Sequence, residues 1–112
     1  MEIKQFLEAV NFLRKEVDKE LVANQIGTLL AVMDREGITI PEVAEYLDIP
    51  PSTVARSVKI LSRYQVKSHV EGFDLIFAEP ALENRRRYAL SLTIKGRELK
   101  SKLEKVLEEG GC

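Results

Sequence analysis

Thr39–Tyr64, TIPEVAEYLDIPPSTVARSVKILSRY, is the stretch on which the fold turns. It reads as two short helices separated by a tight turn. Pro41 suits the first turn of a helix, where its missing N–H would be unpaired anyway. Val43, Ala44 and Leu47 then form one apolar stripe, and Asp48-Ile49-Pro50-Pro51 breaks the pattern. Ser52 is expected to cap the second helix, its hydroxyl accepting from a free N–H of the first turn. Val54, Val58 and Leu61 recur at helical spacing and should face inward. Ser52, Arg56, Lys59 and Arg63 gather on the opposite face, with Thr53 beside them. A helix packed on one side and presenting hydroxyls and cations on the other can lie in a DNA major groove. Residues 41–64 are therefore read as a helix-turn-helix. An ordinary solvated helix also carries charges, so the weight of this reading depends on the residues beyond Tyr64.

After Tyr64 the period changes. Val66–Ala78, VKSHVEGFDLIFA, places Phe73, Leu75 and Phe77 at alternate positions, a half-buried strand pattern. Glu79-Pro80-Ala81-Leu82-Glu83-Asn84 is turn-like, and Pro80 excludes a continuous central strand. Arg86–Thr93, RRYALSLT, alternates again, with Tyr88, Leu90 and Leu92 on one face. Two strands joined by a loop directly after a recognition-type helix make a wing, here residues 66–93. Arg85, Arg86 and Arg87 stand beside its tip, and arginine is favoured for entry into a narrow, electronegative minor groove.

The charge distribution points the same way. The chain has a net charge of −1, which argues against indiscriminate nucleic-acid binding. Residues 1–51 hold 5 Lys/Arg against 10 Asp/Glu, residues 52–97 hold 9 against 4, and residues 98–112 hold 3 against 4. The basic block covers the candidate recognition helix and wing. A positive face on a near-neutral protein matches a phosphate backbone.

With these residues in view, Leu29–Val66 resembles the helix-turn-helix core of the MarR family of winged-helix transcriptional regulators. Asn84-Arg85-Arg86, followed by Leu92-Thr93-Ile94-Lys95-Gly96-Arg97-Glu98-Leu99, is similar to that family's wing and the helix start behind it. The Leu-Thr-x-x-Gly-x-x-Leu ending is the more distinctive half, and the resemblance runs from Val22 to about Leu107. It implies a homodimer that binds a pseudo-palindromic operator in double-stranded DNA and usually represses transcription. It also allows a small-molecule effector, which no residue here identifies. The chain departs from the family pattern in the wing: Ala81 and Glu83 stand where an acidic residue and an arginine are common. Arg86 and then Arg85 are the candidates for the minor groove. The first wing strand, Ser68–Ala78, looks longer and more apolar than usual, and the family's last helix is expected to be missing.

Length and composition set the remaining bounds. The 112 residues suit a single domain, 45% hydrophobic and 31% charged, as in an ordinary globular protein. No apolar run approaches the ~20 residues that span a bilayer, and no signal-peptide pattern opens the chain. Cys112, the single cysteine, cannot form an internal disulfide, so a reducing, cytoplasmic setting is expected. His69 is the single histidine and has no metal-ligand spacing around it. The six glycines make no phosphate-cradling loop. No catalytic residues, metal or cofactor are expected, and no membrane partner.

Two flanking helices bear on assembly. In residues 1–18, Ile3, Phe6, Leu7, Val10, Leu13 and Val17 form a broad apolar stripe, with Phe12 off it and expected to meet a second surface. In residues 94–109, Leu99, Leu103, Val106 and Leu107 share a face, and Glu98–Lys102 and Lys105–Glu109 are supporting pairs. Ile3, Phe6, Val10, Phe12, Leu99, Leu103 and Val106 are the expected dimer contacts, a two-fold dimer being the commonest soluble oligomer. Between these parts, Glu20–Arg35 reads as a central scaffold helix ended by Gly37, and Ile38-Thr39-Ile40 as a short third strand. The expected architecture is a mainly α chain with a small β-wing (α+β), a winged helix-turn-helix with N- and C-terminal dimerisation helices. The alternative from a different class is a winged helix used for protein contact, with Phe73, Leu75, Ile76 and Phe77 as a docking ridge.

Overall fold

The computed structural model describes residues 2–62, 72–84 and 86–109. Its elements run α1 (Ile3–Glu16), α2 (Ala23–Asp34), α3 (Ile40–Leu47), α4 (Pro51–Leu61), β1 (Ile76–Pro80), β2 (Tyr88–Leu92) and α5 (Ile94–Glu109). This is a winged helix-turn-helix flanked by two terminal helices. Leu29, Val32, Met33, Val43, Val54, Val58 and Leu61 bury the mutual faces of α2, α3 and α4, and Ile76, Leu90 and Leu92 close the core from the wing.

Local chemistry explains each boundary. Thr39 caps α3 through a reciprocal box: its Oγ1 accepts the Glu42 N–H at 3.4 Å while Glu42 Oε1 accepts the Thr39 N–H at 3.1 Å. Pro41 sits within the first turn, as expected. Asp48 ends α3 in the left-handed region with φ 55°, a conformation that Asp tolerates better than most residues. Ser52 does not cap α4. With Pro51 as the first helical residue, the cap position falls on Pro50, and Ser52 lies one step inside the helix with its side chain exposed.

The wing starts later than the alternation of Phe73, Leu75 and Phe77 suggests. Residues 66–71, the first half of that expected strand, lie outside the described residues. From Phe73 onward the chain first serves the end of α4: the N–H groups of Phe73, Asp74 and Leu75 donate to the carbonyls of Ile60, Ser62 and Leu61 at 3.1, 3.2 and 2.8 Å. These are among the carbonyls a helix leaves unpaired at its C-terminus. Asp74 has φ 55°, which interrupts the pleat. The strand therefore begins at Ile76, and Leu75 and Ile76 are both buried while Phe77 is exposed. β1 and β2 pair antiparallel with Ile76 opposite Leu92, Ala78 opposite Leu90 and Pro80 opposite Tyr88. Pro80 is the last residue of an edge strand, where a missing N–H is harmless.

Ile38–Ile40 gives less of a third strand than expected. Thr39 bridges Ala89, the Gly37 N–H donates to Leu90 O at 2.7 Å, and the Leu90 N–H donates to Ile38 O at 2.8 Å, but Ile40 already belongs to α3. The ladder is continued by a side chain: the Leu92 N–H donates to Glu36 Oε1 at 2.9 Å. That bond, ahead of the nearby Arg97 guanidinium, holds the Glu36 carboxyl below its ordinary value. Gly37 does not cap α2, whose cap is Arg35; its φ of 93° serves the turn into this bridge.

Thr93 and Gly96 account for the Leu-Thr-x-x-Gly-x-x-Leu pattern. Thr93 Oγ1 accepts the Gly96 N–H at 3.0 Å at the start of α5 and donates to Asp74 O at 2.6 Å. A Cβ on Gly96 would stand 2.0 Å from Leu75 O, so only glycine lets α5 pass the wing base. Leu92 and Leu99 are buried on either side.

The terminal helices pack on each other, but not by the expected stripe. α1 turns Gln5, Ala9, Phe12 and Leu13 inward. Gln5 joins the two helices, its Nε2 donating to Leu107 O at 3.1 Å and its Oε1 accepting the Glu2 N–H at 2.7 Å. Phe12, expected to meet a second surface, packs half-buried against the chain's own core, and Leu99 and Leu103 are core residues too. Ile3, Phe6 and Leu7 remain exposed, Ile3 at 88% and Phe6 at 59%.

Candidate nucleic-acid interface

α4 is held from behind and free in front. Val54, Ser57, Val58 and Leu61 are buried against α2 and α3, which leaves Ser52, Arg56 and Lys59 exposed on the opposite face and Thr53 half-buried at its edge. Of the residues expected on this face, Ser52, Arg56 and Lys59 are exposed there, and Arg63 lies outside the described residues. The two prolines at the start of α4 and the three N–H groups bound at its end fix both termini of the helix. Its outer side chains are consequently carried on an element with little freedom to shift.

The wing loop is organised by its own backbone. The Ala81 N–H donates to Arg87 O at 2.8 Å, the Arg87 N–H to Asn84 O at 3.0 Å, and the Arg86 N–H to Asn84 Oδ1 at 3.0 Å. Asn84 is thereby committed to the turn, which leaves cations to make outward contacts. Arg86 and Arg87 are exposed, and Arg85 lies outside the described residues. Arg87 belongs to the hairpin face that looks over Arg35, Thr39 and Glu42, where it lines a groove of about 580 Å³ with Glu79 and Glu83. Arg86 is the better outward candidate.

Among the described residues, ion pairs join Arg35 to Glu42 at 2.6 Å and Arg97 to Glu36 at 3.4 Å. Neither pair involves a cation of α4 or of the wing loop. Arg56, Lys59 and Arg86 have no carboxylate partner among the described residues, so their charge is available to an external anion, whereas Arg87 shares its groove with Glu79 and Glu83.

The other face of the hairpin forms a second open cleft, about 840 Å³, between α4 and the wing. Ala55, Val58 and Lys59 line one side and Phe77, Ala78 and Tyr88 the other. Alternation assigns Tyr88 to the core, yet it is 48% exposed. Its strand runs past the helices that cover Leu90 and Leu92, and its closeness to the hairpin tip is the signal available in the sequence.

In the three-dimensional comparison the chain overlays MarR across 99% of its own length and 74% of MarR's, with a TM-score of 0.66 and 26% identity. This is the MarR fold. MepR of S. aureus, solved in complex with DNA, matches 95% of this chain and 77% of its own at a TM-score of 0.70 and 20% identity. A MarR transcriptional regulator from Methanosarcina mazei Go1 matches 96% and 72% at a TM-score of 0.66 and 23% identity. No protein-family model and no curated protein sequence matches the chain. The likeness is thus to chains of the MarR fold that are longer than this one.

Proposed function

We propose that this chain is a sequence-specific regulator of transcription that binds double-stranded DNA, with α4 in the major groove and the wing in the minor groove. The observation that carries the reading is the outer face of α4: Ser52, Arg56 and Lys59, exposed together and uncompensated by any described carboxylate, on a helix fixed at both ends. Arg56 reads a base edge, most simply guanine O6 and N7, while Ser52, Thr53 and Lys59 hold phosphates. Arg86 reaches for the minor groove, with Arg85, Arg87 and Arg63 adding to the positive field. The MarR fold supports the same assignment, since MepR in that fold was solved on DNA.

A homodimer on a pseudo-palindromic operator, acting as a repressor, completes the proposal. Its support is the apolar row on α1. Ile3, Phe6 and Leu7 are exposed and Val10 half-buried, an arrangement that a second copy would cover. Leu99 and Leu103 act from beneath, by fixing α5 under α1, and Val106 and Phe12 lie half-buried at the margin.

Arg56→Ala tests the core of the reading. It is expected to weaken binding to a selected duplex by about 1–3 kcal/mol and to relax preference at one base position. Equal weakening on selected and random duplexes would show that Arg56 contacts phosphate instead. Of the ridge expected for the protein-docking alternative, Leu75 and Ile76 are buried and Phe73 is half-buried, which leaves Phe77 exposed. That alternative predicts no salt-dependent retention on duplex DNA, whereas the proposal predicts strong retention at low salt.

A further inference from the structure

One strand of a duplex separates any major groove from the minor groove beside it. A protein that places α4 in the first and its wing in the second must therefore carry that strand across the surface between them. In this chain that surface is the cleft lined by Ala55, Lys59, Phe77, Ala78 and Tyr88. We propose that the cleft is the seat of a single sugar–phosphate strand, and that Tyr88 and Lys59 grip one phosphate from its two sides. The inference rests on the DNA-binding reading above and adds to it a specific contact and a residue outside the helix-turn-helix.

The lining suits this occupant. Ala55 and Ala78, with the buried Val58 and Ile76, offer apolar walls of the kind that pack against deoxyribose, which presents carbon to its neighbours. Lys59 supplies an ammonium from the exposed face of α4, and Tyr88 a phenolic hydroxyl from the wing. Lysine acts on phosphate as a point charge, and the tyrosine O–H donates to a phosphate oxygen. Asp74 also lines the cleft, half-buried, just before β1 and so at the end of the hairpin away from Tyr88. Its carboxylate would repel a phosphate placed at that end, so the strand must ride on the other part, at Lys59 and Tyr88. The arrangement also gives Tyr88 a reason to be exposed: opposite Pro80, at the far end of the hairpin, it extends the wing's inner face beyond the protein core.

The test uses the full chain, its Tyr88→Phe and Lys59→Gln variants, and a duplex enriched from a random pool by the wild-type protein. A set of these duplexes carries one uncharged methylphosphonate at each position in turn. Wild type should lose about tenfold in affinity at one position flanking the base contacts of α4, as expected for a lost hydrogen bond to a charged group. Both variants should become less sensitive than wild type at that same position, each keeping the part that its remaining side chain supplies. Tyr88→Phe should leave the slope of affinity against salt unchanged, because no charge is removed, while Lys59→Gln should flatten it by about 0.9. Circular dichroism confirms folding, and neither side chain is buried. Variants that stay as sensitive as wild type there, or that lose sensitivity at two different phosphates, would overturn the shared grip while leaving DNA binding intact. A wild-type protein that enriches no duplex overturns the DNA reading and the cleft assignment with it.

Discussion

The helix-turn-helix with its wing and the α1–α5 pair are built on opposite terms. In the first, nearly every exposed end is closed within the chain: Thr39 and Glu42 cap α3, Phe73–Leu75 close the end of α4, and Thr93 ties the start of α5 to Asp74. Its proposed DNA face sets the exposed Ser52, Arg56 and Lys59 of α4 beside the exposed Phe77 and Tyr88 of the wing. In the second, Gln5 and Leu13 hold α1 down while Ile3, Phe6 and Leu7 stay in solvent. The contrast separates the part of the chain that is complete by itself from the part that presents apolar surface to something else. A lone exposed leucine is ordinary on a protein surface, but a row of apolar side chains along one helix marks an interaction site.

Two charge substitutions in that pair break the contrast most sharply. Leu103 is only 5% exposed, and a carboxylate at that position has neither solvent nor partner. Leu103→Glu is expected to cost about 5 kcal/mol, comparable with the whole stability of a small domain, and to yield unfolded protein. Phe6→Glu lies on the open row, so the fold should survive while association is lost. Light scattering with circular dichroism on both variants reads the two outcomes. A folded Leu103→Glu monomer would mean that α5 is not part of the core, and a wild-type protein that is already monomeric at micromolar concentration removes the dimer from the proposal.

The wing base should be nearly as intolerant. A Cβ at Gly96 meets the Leu75 carbonyl at 2.0 Å, and one at Gly72 meets the Ser62 carbonyl at 1.9 Å. Both obstacles are backbone, so relief requires moving α5 or the end of α4. Gly96→Ala is expected to lower stability by about 3 kcal/mol, seen as a shift of the urea midpoint at constant slope. By contrast, Gly37 meets nothing within 4 Å, and alanine there should cost only the strain of its positive φ, about 1 kcal/mol. Equal costs at the two glycines would show that the wing base is loose rather than close-packed.

The same contrast explains what can be read from the sequence. Period and punctuation reveal the helix pair, the hairpin and the basic outer face of α4, because each depends on neighbours a few residues away. What escapes depends on residues far apart in the chain. The alternation of Phe73, Leu75 and Phe77 is real, but it is overridden by the carbonyls of α4 that residues 73–75 close. α1 carries two adjacent apolar faces, and the inner one is chosen by Gln5 reaching Leu107, a pairing no local pattern announces. Two consecutive prolines leave the start of α4 ambiguous by two residues, which moves the cap from Ser52 to Pro50. Tyr88 reads as core because alternation does not show where the covering helices stop.

The smallest effects test whether the capping network in the self-contained half is as tight as its geometry. Thr39→Ala removes both the cap and a donor to Glu42, and is expected to cost about 1 kcal/mol. The Thr39 hydroxyl first, then its N–H and the Arg35 guanidinium, hold the Glu42 carboxyl below its ordinary value. A depressed carboxylate stabilises the fold above the unfolded range near pH ~4.3 and loses that contribution as pH falls through the folded value. The stability gap between wild type and Glu42→Gln should therefore be flat from neutrality down to about pH 5 and should narrow below it. Because the Glu42 side chain is still 36% exposed and screened by solvent, the change should stay under about 0.5 kcal/mol. Glu36 is lowered in the same direction and titrates in the same window in both proteins, so it cancels in the difference. The measurement is urea unfolding of the two proteins between neutrality and mild acid. A gap that widens on acidification would mean that the Thr39 bonds favour the protonated carboxyl, contrary to the donor geometry seen here.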